Sequence, residues 1–180
     1  MSPDNPGLYG QYSADEDGAD SNRAGLKIMV SKRAEGQKPW MAADDYGRSL
    51  KGFTLNLLVR NVPRSVDFCR EVLEAQVIYA DADFAVMRRD CRGSAVEWML
   101  HADHTYGDHP LLSLTGDGAI RGAGAEFRLH GVDPDKAAAA ATRRGDTILS
   151  PPANKPHGTR EAFIADPDGY IWVPDIPLPA

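Results

Sequence analysis

The sequence predicts an α+β fold made of two βαβββ modules, because the chain repeats one pattern 72 residues apart, from Gly52 to Gly124. Each copy opens with alternating apolar and polar residues, which is the pattern of a half-buried strand, and then breaks into a helix start. Each copy also closes alike, since an Asp-x-x-Gly turn at 90–93 and at 166–169 leads into an apolar strand. A duplicated unit places equivalent side chains on two sides of one cavity, so those side chains decide what the protein can bind.

The first module is predicted as a strand, a helix and three further strands. Pro63 suits the first turn of the helix, where its missing N–H is tolerated, and apolar residues recur on one helical stripe. The stripe consists of Val66, Cys69, Val72 and Leu73. The predicted elements are a strand at 53–60, a helix at 63–74, and strands at 76–81, 83–89 and 94–101.

The second module repeats this order with clearer helix signals. Asp133 is a suitable N-cap, Pro134 fits the first helical position, and Gly145 fits the C-terminal cap. The predicted elements are a strand at 125–130, a helix at 134–144, and strands at 146–150, 159–165 and 170–174.

The remaining segments lie outside the repeat. Residues 1–23 are rich in Asp, Ser, Gly, Asn and Pro, which predicts a loosely held start, and residues 26–30 form either a short strand or an anchoring arm. The predicted division is a polar N-terminal extension or arm at 1–51, the first module at 52–101, a linker at 102–123, the second module at 124–176 and a tail at 177–180.

Composition argues against several classes of partner. The chain has 20 basic and 26 acidic residues, and a net charge of −6 does not suit nucleic acid or an anionic membrane surface. No apolar run approaches the roughly 20 residues of a membrane span, and the N-terminus lacks the basic start and apolar core of a signal peptide. Cys69 and Cys91 make neither a disulfide framework nor a CxxC metal pair. These features predict a cytoplasmic protein.

Two stretches carry a resemblance to a known family. They are Leu57-x-Val59-Arg60-Asn61 followed by Ser65-Val66-x-Phe68-Cys69-Arg70-Glu71-Val72-Leu73, and His157-Gly158-x-Arg160-Glu161-Ala162-Phe163-Ile164-x-Asp166-Pro167-Asp168-Gly169-Tyr170-Ile171-Trp172. Over about residues 52–176 the chain resembles the vicinal oxygen chelate superfamily, which includes glyoxalase I, extradiol dioxygenases, fosfomycin-resistance enzymes and bleomycin-resistance proteins. The resemblance implies that the two modules form a curved, half-open mixed sheet around a cavity and that the protein is a homodimer.

The resemblance also implies four positions for a divalent metal, at Thr54, Glu97, Glu126 and Val173. Metal-dependent relatives usually place His at the first-strand positions and Glu or His at the last-strand positions. Threonine is a poor ligand and valine is none, while two carboxylates make a weak site for an ion that takes four to six donors. We therefore predict no cofactor. If a metal binds, its predicted ligands are Glu97, Glu126 and His101.

Strand alternation extends the cavity face from these positions. The inward side chains are predicted to be Thr54, Asn56, Leu58, Glu97, Met99, His101, Glu126, Arg128, His130, Ile171 and Val173. The ligand-binding set within this face is Thr54, Asn56, Glu97, Met99, His101, Glu126, Arg128 and His130. Glu97 and Glu126 are expected to face each other with Arg128 nearby. The three residues either face a ligand, which we favour, or form a buried ion network, and an unpaired buried glutamate would suit general acid–base work.

Two further groups of polar residues are assigned structural roles. Residues 101–110 hold three histidines and two aspartates, but the spacing fits no zinc pattern, so turn formation is favoured except at His101. Arg160 either contacts an anionic ligand or pairs with Asp166 or Asp168, and the ion pair is favoured.

Three functions remain open at this level, and no catalytic residue is assigned. The first is a small-molecule binding protein similar to the bleomycin-resistance proteins, for which the acidic chain suggests a cationic ligand. The second is a metal-dependent lyase, isomerase or dioxygenase that uses Glu97, Glu126 and either His101 or His130. The third is a structural protein whose cavity is filled by side chains. The lost chelate positions favour the first.

Overall fold

The computed structural model of the protein describes residues 41–105, 109–116, 118–119 and 121–179. It contains two four-stranded mixed sheets that do not close, with strand orders β1-β4-β3-β2 and β5-β8-β7-β6. The strands of the first sheet are β1 (Leu55–Val59), β2 (Gln76–Ala80), β3 (Phe84–Cys91) and β4 (Ser94–Ala102). Those of the second are β5 (Glu126–His130), β6 (Thr147–Asn154), β7 (Thr159–Ala165) and β8 (Ile171–Pro177). The predicted α+β fold of two βαβββ modules is confirmed.

Three α-helices accompany the sheets in the described part of the chain: α1 (Ala43–Ser49), α2 (Val62–Glu71) and α3 (Pro134–Arg144). Asn61 accepts a hydrogen bond from Arg64 N at the start of α2, and Asp133 accepts from two backbone N–H groups at the start of α3. Gly145 ends α3 in the left-handed conformation with φ of 79°. Helix α2 ends earlier than the predicted residue 74. None of the described helices has the length and apolar character needed to cross a membrane.

One hydrophobic core joins the modules. Helix α2 packs on the first sheet, α3 packs on the second, and the two helices contact each other. The core-facing side chains include Leu57, Leu100, Ile164, Trp98 and Trp172. The opposite faces of the sheets are therefore left for the polar side chains.

The linker between the modules is tied down by Arg121. Its guanidinium is buried and forms a bidentate pair with Asp103, at 2.8 and 2.6 Å. The same group donates to the carbonyl oxygens of Leu58, at 2.6 Å, and Thr115, at 3.1 Å. One arginine thus connects β1, the end of β4 and the segment predicted only as a linker.

A second joint connects β1 to the turn before β8. The buried carboxylate of Asp168 accepts hydrogen bonds from the backbone N–H and the guanidinium of Arg60, both at 3.0 Å. The sequence predicted Asp168 as a turn residue or a partner of Arg160, and not as a partner of Arg60, which lies 108 residues away.

The N-terminal extension begins, in the described residues, with α1. The Tyr46 ring meets Phe84 edge-on with centroids 6.2 Å apart, and Phe84 lies on the face of β3 that points away from the core. Helix α1 therefore lies over the polar face of the first sheet. The segment 26–30, predicted as a strand or arm, is outside the described residues.

Candidate functional site

A cavity of about 720 Å³ is lined by residues of both modules. Its aromatic and aliphatic walls come from both modules and from the chain just after α1. The lining residues are Ser49, Leu50, Lys51, Phe53, Thr54, Leu55, Arg88, Ala95, Val96, Glu97, Trp98, Glu126, Phe127, Arg128, Leu129 and Trp172. Ligand pockets typically have volumes of about 300–1,000 Å³, so the cavity has the size of a small-molecule site.

Four predicted site residues line this cavity: Thr54, Glu97, Glu126 and Arg128. Glu97 and Glu126 belong to different modules, as the repeat predicted. Their charges are balanced separately, since Glu97 lies 3.5 Å from Arg88 and Glu126 lies 3.2 Å from Arg128. Glu97, Glu126 and Arg128 line the same cavity, and Arg88 on the neighbouring strand β3 is the partner of Glu97.

Arg128 is held mainly by two buried carboxylates that sequence analysis missed. Glu161 and Asp175 are 3% and 2% exposed. Arg128 Nη2 forms an ion pair with Glu161 Oε2 and lies 3.6 Å from Asp175 Oδ2. Burial opposes the charge on Arg128, but its carboxylate partners outweigh burial and raise its pKa. Arg128 is thus the internal counter-ion of the second sheet.

The surroundings of Glu161 keep it ionised. Burial alone would raise its pKa, but hydrogen bonds from Arg128, His157 and Thr159 lower the pKa below its ordinary value. A glutamate with a lowered pKa is a weak base, so this group is not suited to general acid–base work near neutral pH.

The strand register describes how the last of the four metal positions lies relative to Glu126. Strand β8 places Ile171 opposite Glu126, whereas Val173 lies opposite Arg128. Glu126 and Val173 are therefore not neighbours. Both Ile171 and Val173 lack a donor atom, so either register leaves this corner without a metal ligand.

The other half of the predicted binding set does not line the cavity. These four residues are Asn56, Met99, His101 and His130. His101 lies four residues beyond Glu97 on β4, which is about 13 Å along the strand. Its Nδ1 lies 2.6 Å from Asn56 Oδ1 and its ring stacks on Phe84 with centroids 4.5 Å apart. His130 Nδ1 lies 2.9 Å from Asp175 Oδ1.

This arrangement does not fit the metal site that the resemblance implies. Neither His101 nor His130 can reach an ion held by Glu97 and Glu126, because each histidine lies about 13 Å from the glutamate on its own strand. Among the described residues, no group of three or more His, Cys, Asp or Glu side chains has the geometry to hold a metal.

The polar segment 101–110 has structural contacts where it is described. Asp103 pairs with Arg121, His104 Nε2 lies 2.8 Å from Asp83 Oδ1, and His109 Nδ1 accepts a hydrogen bond from Leu111 N. Residues 106–108 are outside the described residues. Arg160 forms an ion pair, as favoured, but its partner is Asp135 at 2.6 Å and not the predicted Asp166 or Asp168.

The chain is therefore an α+β protein with two βαβββ modules, a shared core and a cavity of ligand size. The profile of the Glyoxalase/Bleomycin resistance protein/Dioxygenase superfamily matches residues 53–173. The chain belongs to this superfamily, and the predicted relationship to the vicinal oxygen chelate proteins is confirmed. A comparison with curated proteins gives no sequence match.

Solved structures show the same fold at low sequence identity. A glyoxalase/bleomycin resistance protein/dioxygenase family enzyme from Burkholderia phytofirmans PsJN is 17% identical with a TM-score of 0.56, covering 69% of this chain and 97% of that one. A glyoxalase/bleomycin resistance protein/dioxygenase from Nocardioides is 20% identical with a TM-score of 0.51, covering 75% and 91%. A glyoxalase-related enzyme from Fulvimarina pelagi is 15% identical with a TM-score of 0.52, covering 70% and 87%. At these identities the likeness supports the fold alone.

Proposed function

We propose that the protein binds a small organic molecule in the cavity between its modules and does so without a metal chelate. The observation that carries the proposal is the cavity itself, about 720 Å³ in volume, whose lining includes Phe53, Leu55 and Phe127 as well as the nearly buried indoles of Trp98 and Trp172. Aromatic and aliphatic walls with a few polar groups are typical of small-molecule sites. The open cavity weakens the alternative of a structural protein whose cavity is filled by side chains.

The charged groups of the cavity support binding over metal catalysis. Both cavity glutamates already have arginine partners, at 3.5 Å for Glu97 and 3.2 Å for Glu126. A divalent ion bound by the glutamates would compete with these pairs, and neither His101 nor His130 can reach it. The metal-dependent lyase, isomerase or dioxygenase remains the alternative, which elemental analysis of the purified protein after incubation with divalent ions tests.

A fluorescent apolar probe tests the binding proposal directly. N-phenyl-1-naphthylamine is neutral and brightens in apolar surroundings, so we expect saturable enhancement at one site per chain, unchanged by EDTA. Ala95→Trp should fill the cavity and abolish the signal, because Ala95 lines it. Ala80→Trp is the matched control, since Ala80 is exposed on β2 and does not line the cavity. Equal enhancement in both variants would contradict the proposal.

The predicted homodimer and cytoplasmic location stay predictions. Light scattering on the purified protein measures the mass of the particle, and a mass of one chain at micromolar concentration would contradict the dimer. Absence of binding to nucleic acid likewise stays a prediction from the acidic charge.

A further inference from the structure

We infer that the cavity accepts an amphipathic monoanion, an aromatic or aliphatic molecule with one carboxylate, and that Lys51 supplies the charge that selects it. The inference rests on the proposed function and adds the class of ligand to it. The net charge of −6 suggests a cation instead. The charges on the walls of the cavity point the other way.

The charged side chains that line the cavity have a formal net charge of +1, from three cations and two carboxylates. It contains Lys51, Arg88 and Arg128 against Glu97 and Glu126. Exposed charges interact over roughly 8 Å at physiological ionic strength, so a bound ligand responds to the cations of the lining together with the carboxylates that pair with them. Arg88 has Glu97 as its partner and Arg128 has Glu126, Glu161 and Asp175, so the cation of the lining left for a negatively charged ligand is Lys51.

Lys51 is the cation of the cavity lining that has no ion-pair partner among the described residues. It is exposed, lies in the segment between α1 and β1, and forms no ion pair with any part of the chain that the structure describes. Arg128 is committed to Glu126 and to the buried Glu161. The two carboxylates of the cavity are both paired, so a cationic ligand would meet carboxylates that already have an arginine beside them.

Arg88 can strengthen the contact with an anion without losing Glu97. Its side chain is 48% exposed and its nearest nitrogen lies 3.5 Å from Glu97 Oε1. A guanidinium has five N–H donors in a planar fork, and one carboxylate does not use them all. The aromatic walls would hold the apolar body of the same ligand.

Three naphthalene compounds of nearly equal size test the charge. We expect 1-naphthoate to bind about fivefold more tightly than neutral 1-naphthalenemethanol in calorimetric titrations, with 1-naphthylmethylammonium the weakest, since one exposed charge pair contributes about this factor. The advantage of 1-naphthoate should shrink as salt is raised from 50 mM to 500 mM, because screening weakens the pair. The Debye screening length falls about threefold over this range of salt concentration.

Lys51→Gln assigns the effect to one residue. It should remove most of the advantage of 1-naphthoate and leave the affinity for 1-naphthalenemethanol unchanged. Lys136→Gln is the matched control, because Lys136 is exposed on α3 and does not line the cavity. Neither substitution removes a buried side chain, so both proteins should fold.

The outcomes separate this inference from the proposed function. Equal affinities for all three compounds, tightest binding of the ammonium compound, or an unchanged preference in Lys51→Gln would each overturn the inference while binding in the cavity stands. Failure of all three compounds and of N-phenyl-1-naphthylamine to bind would overturn the proposed function itself.

Discussion

The indole rings of Trp98 and Trp172 pack against each other with centroids 5.2 Å apart. Trp98 lies opposite Leu55 in the first sheet and Trp172 lies opposite Phe127 in the second. Leu55 and Phe127 are equivalent positions of the repeat, 72 residues apart. The two tryptophans are therefore equivalent positions of the modules, and the duplicated units meet at the same residue type in the shared core.

The two indoles differ in their polar contacts, which predicts different costs of substitution. Trp172 Nε1 donates to Asp166 Oδ2 at 3.3 Å, whereas Trp98 Nε1 is buried without a hydrogen bond in the described structure. Trp172→Phe should lower the free energy of unfolding by about 1–3 kcal/mol more than Trp98→Phe, because it removes a donor from a buried carboxylate. Urea titrations of both variants measure the difference, and equal costs would contradict it.

The tryptophan pair also shows how far the sequence predicted the fold. Alternation and capping residues located all eight strands of the described residues and both module helices, because these signals are local. Matching the two Asp-x-x-Gly turns gave an incorrect alignment of the last strand of one module with the last strand of the other. Asp90 lies inside β3 before a two-residue hairpin at Arg92 and Gly93, both with positive φ, while Asp166 begins a longer turn. Glu97 therefore corresponds to Ile171 when the strands are aligned by their partners.

The site was predicted less completely, because some of its side chains acquire their roles only when strands pair. Glu97, Glu126 and Arg128 were found because they lie on the strands that the repeat compares. Arg88 and Glu161 were missed, since they lie on β3 and β7 and acquire their roles only when those strands pair with β4 and β8. Lys51 precedes the repeat, so no pattern connected it with the cavity.

The strand register predicts which substitutions create a metal site, because Ile171 lies opposite Glu126. Thr54→His combined with Ile171→Glu would add two donors to Glu97 and Glu126. We expect Ni²⁺ or Zn²⁺ to raise the melting temperature of this double variant and to leave the natural protein unchanged.

Val173→Glu is the comparison that tests the register. Val173 is 0% exposed, so its replacement by Glu buries a charge, and Thr54→His with Val173→Glu should be destabilised without a gain in metal affinity. Stabilisation of this second variant by the same ions would show that the register is wrong.

The ion cluster around Arg128 predicts a pH-dependent stability defect. Arg128→Met removes the arginine cation from the buried Glu161 and Asp175 and leaves Glu161 the longer pair with Lys155 at 3.9 Å, and such a loss costs about 3–5 kcal/mol. The defect should be largest near neutral pH and should shrink as the pH falls, because protonation then removes the uncompensated charges.

Arg160→Met is the matched control for this variant. Arg160 also pairs with a carboxylate, but its partner Asp135 is more than half exposed, so little change in stability is expected. Denaturant titrations at several pH values between about 4 and 8 compare the two variants over the range in which carboxylates and imidazoles titrate. A defect of Arg128→Met that does not depend on pH would contradict the counter-ion role.

The raised pKa of Asp166 predicts a second effect of pH on the stability of the protein. Burial raises the pKa of Asp166 from 3.8 to about 6, even though it accepts hydrogen bonds from the backbone N–H groups of Tyr170 and Asp168 and from the Trp172 side chain. Because the folded pKa lies above the unfolded one, the contribution of this group to stability falls as the pH rises from about 4 to about 6 and is constant above that window. The carboxyl ¹³C resonance of Asp166, assigned by its loss in Asp166→Asn, should titrate near pH 6. A midpoint at or below 4 would contradict the prediction.

The buried contacts of Arg121 predict that the segment between the modules is part of the folded core. Its side chain is 1% exposed and joins Asp103, Leu58 O and Thr115 O. Arg121→Met should lower the free energy of unfolding by about 3–5 kcal/mol, because Asp103 and two carbonyl groups lose their donor. Arg121→Lys should recover part of this loss, since it keeps the charge but not the bidentate fork. Arg143→Met, at an exposed position of α3, is the control and should change little. Hydrogen exchange of the amides at 109–116 should accelerate in Arg121→Met, and unchanged exchange there would mean that Arg121 does not hold the segment in place.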